Sequence, residues 1–180
     1  MINEDIKIEV PLVIQNNTGI KEGWGYRLCG LASLAMVLRF RGIDYGSMDD
    51  LLKKALEMDA YLENVGWKHR GLVNVAESFG LKMAFIEQFP KTIEEKKEKE
   101  KMIIDSIKNG NPVIASARFK FTPEGESHMV VVHGFKRDQN SFGFYIQDPD
   151  SFRSGSNNYF IKESEFLNSW RGGLLFIALR

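Results

Sequence analysis

A chain of 180 residues with 43% hydrophobic and 27% charged side chains has the composition of a globular protein that buries a hydrophobic core. Basic and acidic residues both number 24, and a zero net charge argues against a nucleic-acid or anionic-membrane surface. The single cysteine excludes an internal disulfide, and the N-terminus has no apolar signal region. We therefore expect one cytoplasmic domain over residues 1–180.

The hydrophobic pattern predicts helices first and an antiparallel sheet second, which is an α+β arrangement. We expect a helical half at about 26–110 and a β half at about 111–180, to which an N-terminal strand at 6–14 is added. Turn residues at 15–25 separate this strand from the first helix. Further helices are predicted at 48–58, 70–79, 91–110 and 164–170, and strands at 81–89, 112–119, 128–135, 143–147, 159–162 and 174–180.

The first helix is predicted from an apolar segment, Leu28–Leu38, in which Ser33 is the only ordinary polar side chain. A membrane span needs about 20 apolar residues, so this shorter segment indicates a helix buried inside the domain. Arg39 and Arg41 suit the negative end of the helix dipole, and Gly42 is the residue expected to end the helix.

The only cysteine, Cys29, lies at the beginning of this helix and is followed by Gly30. Unpaired backbone N–H groups and the positive end of the dipole stabilise a thiolate there. Gly30 leaves the neighbouring backbone open to a substrate. Cys29 is therefore a candidate nucleophile, and the alternative is a small buried hydrophobic residue.

A thiol nucleophile needs a base, and the base needs a partner that orients it. Of the three histidines, His128 opens a very apolar strand and is the preferred base. His133 has the opposite parity in that strand, so the two rings are not expected to face one site. His69 precedes a helix start, where a capping role is the simpler interpretation.

Asp148 is the natural third member of such a site, because it ends the strand 143–147 at an Asp-Pro step. A hairpin that joins 128–135 to 143–147 brings the start of the first strand beside the end of the second, and so His128 beside Asp148. The alternative is that Asp148 only starts a turn. Asp150 lies in that turn and is the spare carboxylate.

Histidine, aspartate and cysteine side chains are also metal ligands, but no pair of them has the short spacing of a structural zinc site. The chain carries no glycine-rich phosphate loop of either common type. We therefore expect neither a metal nor a cofactor.

Five motifs in this order resemble a known family, namely VPLVIQ, CGLASLAMVL, NGNPVIASA, SHMVVVHGF and QDPDS. They are similar to the papain-like cysteine peptidases, in particular to the C-thirty-nine-like branch that includes bacteriocin leader peptidases. The resemblance runs from about Val10 to Ser151 and implies a papain-like fold. Because no transporter segment follows, we expect a stand-alone peptidase domain.

The resemblance also implies the roles of four residues: Cys29 as nucleophile, His128 as general base and acid, Asp148 as the residue that orients the imidazole, and Gln15 as the oxyanion-hole glutamine. Fourteen positions separate Gln15 from Cys29, more than in the leader peptidases. Asn16 and Asn17 are therefore alternatives for the oxyanion hole.

The resulting hypothesis is a thiol hydrolase that cleaves a peptide or protein substrate in a cleft between the two halves. The alternatives are a small-molecule amidase or acyltransferase with the same thiol chemistry, and a non-catalytic peptide-binding module on the same scaffold. The motif GWKHRG stands outside the catalytic interpretation. We expect its Trp67 and His69 to pack the helical half against the sheet rather than to line the groove.

Overall fold

The computed structural model describes residues 3–17, 23–150 and 158–178. Its helices are α1 (Cys29–Phe40), α2 (Met48–Glu57), α3 (His69–Ser78), α4 (Ile93–Lys108) and α5 (Glu163–Ser169). Its strands are β1 (Glu4–Lys7), β2 (Tyr61–Leu62), β3 (Gly66–Trp67), β4 (Met83–Glu87), β5 (Val113–Arg118), β6 (Ser127–Arg137), β7 (Phe142–Gln147), β8 (Asn158–Lys162) and β9 (Trp170–Ile177). No helix in these ranges is long and apolar enough to cross a membrane.

Within the described ranges, seven strands form one antiparallel sheet in the order β4-β9-β5-β6-β7-β8, with β1 also paired to β6. The long strand β6 pairs with β5 through its first half and with β1 through its second half. The short strands β2 and β3 form a separate hairpin. The predicted α+β class is confirmed.

Helices cover both faces of the sheet. Helices α1, α2 and α3 share one hydrophobic core with the face of β6 that carries Met129 and Val131. Helices α4 and α5 share a second core with the opposite face. The predicted division near residue 110 is wrong in detail, because β4 joins the sheet beside β9 and α4 packs on its far face. Periodicity alone identifies an apolar helix face but does not show which side of a sheet receives it.

Helix α1 is the most completely buried helix, as predicted, since every side chain from Leu31 to Leu38 lies inside the core. The hydroxyl of Ser33 donates to the carbonyl of Met129 at 3.2 Å and so joins the helix to β6. The helix ends at Phe40, and Gly42 leaves the helical conformation as predicted, because its φ of +67° lets the amide of Ile43 reach the carbonyl of Leu38 at 3.0 Å.

The N-terminal strand is shorter than predicted and ends at Lys7. Pro11 lacks an N–H for the ladder, and Val10 and Val13 on either side of it lie in the core that includes α1. Residues 18–22 of the predicted turn region lie outside the described residues. So do the last two residues of the predicted final strand.

One buried carboxylate on α4 makes stability depend on pH. Glu100 is only 6% exposed, and its side chain hydrogen-bonds that of Glu163 on α5. Burial, reinforced by the charge of Glu163, raises the pKa of Glu100 to about 7. A glutamate with a raised pKa destabilises the fold where it is ionised, so stability falls as the pH rises from 4.5 through 7.

We predict that Glu100→Gln stabilises the protein at pH 8, by an upper limit on the order of 3 kcal/mol, and has little effect at pH 4.5. Urea unfolding at the two pH values measures this difference. The control is Glu98→Gln, an exposed position on the same helix, which should have little effect at either pH. An equal effect of Glu100→Gln at both pH values would show that the carboxylate charge is not the cause.

Candidate active site

The N-terminus of α1 faces the beginning of β6, and Cys29 is its first residue. Its thiol is free and half-buried. The next residue must be glycine, because a Cβ on Gly30 would lie 2.8 Å from the ring of Trp67 and 2.9 Å from the sulfur of Met129. This close packing fixes the first turn of α1 against the sheet.

His128 lies in the second position of β6, and its ring meets the predicted carboxylate. The Nε2 atom of His128 lies 2.7 Å from Oδ1 of Asp148, and both residues are buried. The side chain of Cys29 also interacts with this ring, and Nδ1 is the nitrogen that Asp148 leaves for it. The structure therefore brings Cys29, His128 and Asp148 together as one group of interacting side chains, the Cys29–His128–Asp148 group.

The electrostatics of the Cys29–His128–Asp148 group favour a charged imidazole. Burial by itself lowers the pKa of His128, but hydrogen bonds and charge interactions with Asp148 and Cys29 outweigh burial and raise the pKa to about 10. A protonated ring carries a hydrogen on each nitrogen, and the one on Nε2 is donated to the carboxylate.

Asp148 accepts two further hydrogen bonds that fix its orientation. The backbone N–H of Asp150 donates to Oδ1 at 2.8 Å, and the hydroxyl of Tyr159 donates to Oδ2 at 2.9 Å. Burial and the Asp148 charge raise the pKa of Tyr159, so that hydroxyl keeps its proton. No sequence pattern pointed to Tyr159, which lies on the neighbouring strand β8.

Gln15 lies in a 3₁₀ turn, Gln15–Asn17, that packs against the turn leading into Cys29. Gln15 is fully buried, its Nε2 donates to Oδ2 of Asp150 at 2.9 Å, and its backbone N–H donates to the carbonyl of Pro149 at 2.9 Å. Of the two alternatives, Asn16 is exposed and reaches Asp150 only at 3.5 Å. The side chain of Asn17 lies outside the described residues.

The other two histidines take different positions. His133 does not join the Cys29–His128–Asp148 group, and its Nδ1 lies 2.7 Å from the carbonyl oxygen of Ile8. His69, for which packing was expected, lines the cleft beside Cys29 and contacts Glu87 and Ser116 through its two ring nitrogens. Trp67 is buried against Gly30, as the packing interpretation requires, and its edge also lines the cleft.

The cleft beside Cys29 has a volume of about 370 Å³. Three large apolar side chains at its rim, Tyr26, Val65 and Phe89, are 62–75% exposed. Among the described residues, no cluster of three histidine, cysteine or acidic side chains is arranged to hold a metal ion. The cleft therefore presents an apolar rim around a thiol.

A buried helix that presents an N-terminal cysteine to a histidine at the start of a sheet strand is the architecture of the papain-like peptidases. Residues 7–172 match the Peptidase_C39 like family, and this match spans most of the sequence. The chain belongs to that family. No curated protein sequence is significantly similar to it.

Solved structures show the same fold at low sequence identity. The chain is similar to a double glycine motif protease from an AMS/PCAT transporter, solved with the leader peptide, at 22% identity and a TM-score of 0.60, over 99% of this chain and 100% of that one. A putative C39-like peptidase from Bacillus anthracis gives 21% identity and a TM-score of 0.65 over 98% of both chains. The peptidase domain of Streptococcus ComA gives 23% identity and a TM-score of 0.62, over 94% of this chain and 98% of that one.

Proposed function

We propose that the protein is a cysteine peptidase in which Cys29 is the nucleophile, His128 the general base and acid, and Asp148 the residue that orients the imidazole. The observation that carries this proposal is the ring of His128, which is hydrogen-bonded to Asp148 at 2.7 Å and interacts with Cys29. Membership of a peptidase family supports it.

In the proposed reaction the Cys29 thiolate attacks the carbonyl carbon of the scissile bond. The imidazolium of His128 then gives its proton to the leaving amine, and a thioester acyl-enzyme remains. A water molecule, deprotonated by the now neutral His128, attacks the thioester and releases the acid. Asp148 keeps the ring in place throughout, because all its hydrogen bonds survive the change in charge of the ring.

Gln15 is proposed to stabilise the oxyanion that forms during both attacks. An amide nitrogen carries two hydrogens, and the Gln15 amide gives one of them to Asp150. In this proposal an N–H of the same amide group donates to the developing oxyanion. In this arrangement Asp150 is a positioning residue, because it holds the amide without contacting the substrate.

We propose a peptide or protein substrate. One similar protein is a double glycine motif protease solved with a leader peptide, which favours a peptide as the substrate class. The exposed apolar rim offers contacts to the remainder of such a peptide. A reducing compartment such as the cytoplasm keeps the single thiol active.

The first test of this function measures the reactivity of the thiol and needs no substrate. An ordinary thiol, with a pKa near 8.5, is less than about 1% ionised at pH 6 and is alkylated slowly there. We predict that iodoacetamide alkylates Cys29 at pH 6 within about threefold of its rate at pH 8. His128→Ala should lower the rate at pH 6 by at least about tenfold, because the imidazolium is lost.

The matched control is His133→Ala. It removes a histidine from the same strand that does not belong to the Cys29–His128–Asp148 group, and it should leave the alkylation rate unchanged. Slow alkylation of the native protein at both pH values would contradict the peptidase and favour the peptide-binding module.

The second test separates the oxyanion group from the thiol pair. We predict that Gln15→Ala weakens binding of N-acetyl-diglycine aldehyde by about 10- to 100-fold, since its thiol adduct carries an oxyanion-like oxygen. Asp150→Ala should weaken it in the same direction, because the amide is no longer held. Both variants should keep fast alkylation at pH 6, and this also shows that they are folded. Unchanged aldehyde affinity in Gln15→Ala would exclude the assigned role.

A further inference from the structure

The cleft beside Cys29 contains a second group of interacting hydroxyl, imidazole and carboxylate side chains that the proposed mechanism does not use. Ser116 Oγ lies 2.5 Å from Nε2 of His69, and Nδ1 of His69 lies 3.1 Å from Oε1 of Glu87. All three side chains line the cleft. We propose that Ser116, His69 and Glu87 form a second catalytic site, in which Ser116 is a nucleophile toward small acyl esters.

The hydrogen bonds assign the proton positions that a serine nucleophile requires. A carboxylate only accepts hydrogen bonds, so Nδ1 of His69 carries the proton that faces Glu87. In the neutral ring, Nε2 is then an acceptor, and the hydroxyl of Ser116 donates to it. This is the tautomer in which an imidazole removes a proton from serine.

The strand opposite Ser116 is interrupted at this position. The register between β5 and β9 shifts at Ser116. This one residue of β5 faces three residues of β9, 171–173, and the flanking pairs are Ala115 with Leu174 and Ala117 with Trp170. The extra residues include Gly172, whose φ of +91° favours glycine. Bulges of this kind redirect side chains and are common next to active sites.

The other glycine of the bulge makes room for the hydrogen bond itself. A Cβ on Gly173 would lie 2.3 Å from Nε2 of His69 and 2.8 Å from Oγ of Ser116. Any larger residue would therefore occupy the space between ring and hydroxyl. Three separate elements, α3, β4 and β5, supply the three side chains, and the glycine on β9 leaves the gap in which they meet.

The proposed reaction balances without any further cofactor. The Oγ atom of Ser116 bonds to the ester carbonyl carbon, its proton moves to Nε2 of His69, and the bond from that carbon to the alcohol oxygen breaks. The departing alcohol takes the proton from Nε2. Water then repeats the sequence against the acyl-serine, releases the carboxylic acid and restores the hydroxyl.

This site is independent of the thiol, because both ring nitrogens of His69 are bonded to Glu87 and Ser116 rather than to Cys29. The test therefore uses the Cys29→Ala protein, which lacks the thiol. A negative result for Ser116 then does not argue against the proposed peptidase, and a negative result for the peptidase does not argue against this site. The probe is a small alkyl fluorophosphonate, and mass spectrometry of the digested protein locates the label.

The expected result is one label on Ser116 and slow hydrolysis of p-nitrophenyl acetate by the same protein. Adding Ser116→Ala should abolish both the label and the hydrolysis. Adding Ser127→Ala, which changes a serine outside the proposed Ser116–His69–Glu87 site, should leave the label in place. Adding Glu87→Gln, a half-exposed position where folding is not at risk, should slow labelling by at least about tenfold. Absence of label on Ser116 in folded Cys29→Ala protein, or a labelling rate unaffected by Glu87→Gln, would overturn the proposal.

Discussion

The hydrogen bond between His128 and Asp148 is the interaction on which the rest of the site depends. Both side chains are removed from water, at 2% and 0% exposure, and removing one partner from such a buried pair costs about 3–5 kcal/mol because the other charge is left unpaired. Hydrogen bonds that Asp148 accepts from the His128 ring, the Asp150 backbone and the Tyr159 hydroxyl offset this cost. The raised pKa of the His128 ring is a consequence of that arrangement.

A single turn connects the two parts of the proposed mechanism. Asp148, Pro149 and Asp150 follow one another at the end of β7, and the two carboxylates hold different partners. Asp148 orients the base, whereas Asp150 and the Pro149 carbonyl hold Gln15 through its side chain and its backbone. A shift of this turn would therefore move the imidazole and the oxyanion group together. Coupling of this kind keeps the two groups in a fixed geometry relative to the thiol.

The parts of the structure that could be predicted from sequence are those governed by local rules. The buried α1 followed from an apolar segment closed by Gly42, and the approach of Asp148 to His128 followed from the geometry of a hairpin. The partner of Gln15 could not be predicted, because Asp150 lies 135 residues away and the two meet only after β7 and the N-terminal segment have packed. The contacts of His69 were missed for the same reason. Sequence spacing places a residue on an element but does not identify its neighbours on other elements.

Direct observation of the proton on His128 tests the central claim, which is that the thiol and the imidazole form one charged pair held by Asp148. NMR of ¹³C-labelled histidine, titrated from pH 5 to the alkaline limit of the folded protein, reports the charge of that ring. We predict that His128 stays protonated through neutral pH, with a pKa raised toward about 10, and that Cys29→Ala lowers this pKa. A midpoint near 6.5 that is unaffected by Cys29→Ala would contradict the account.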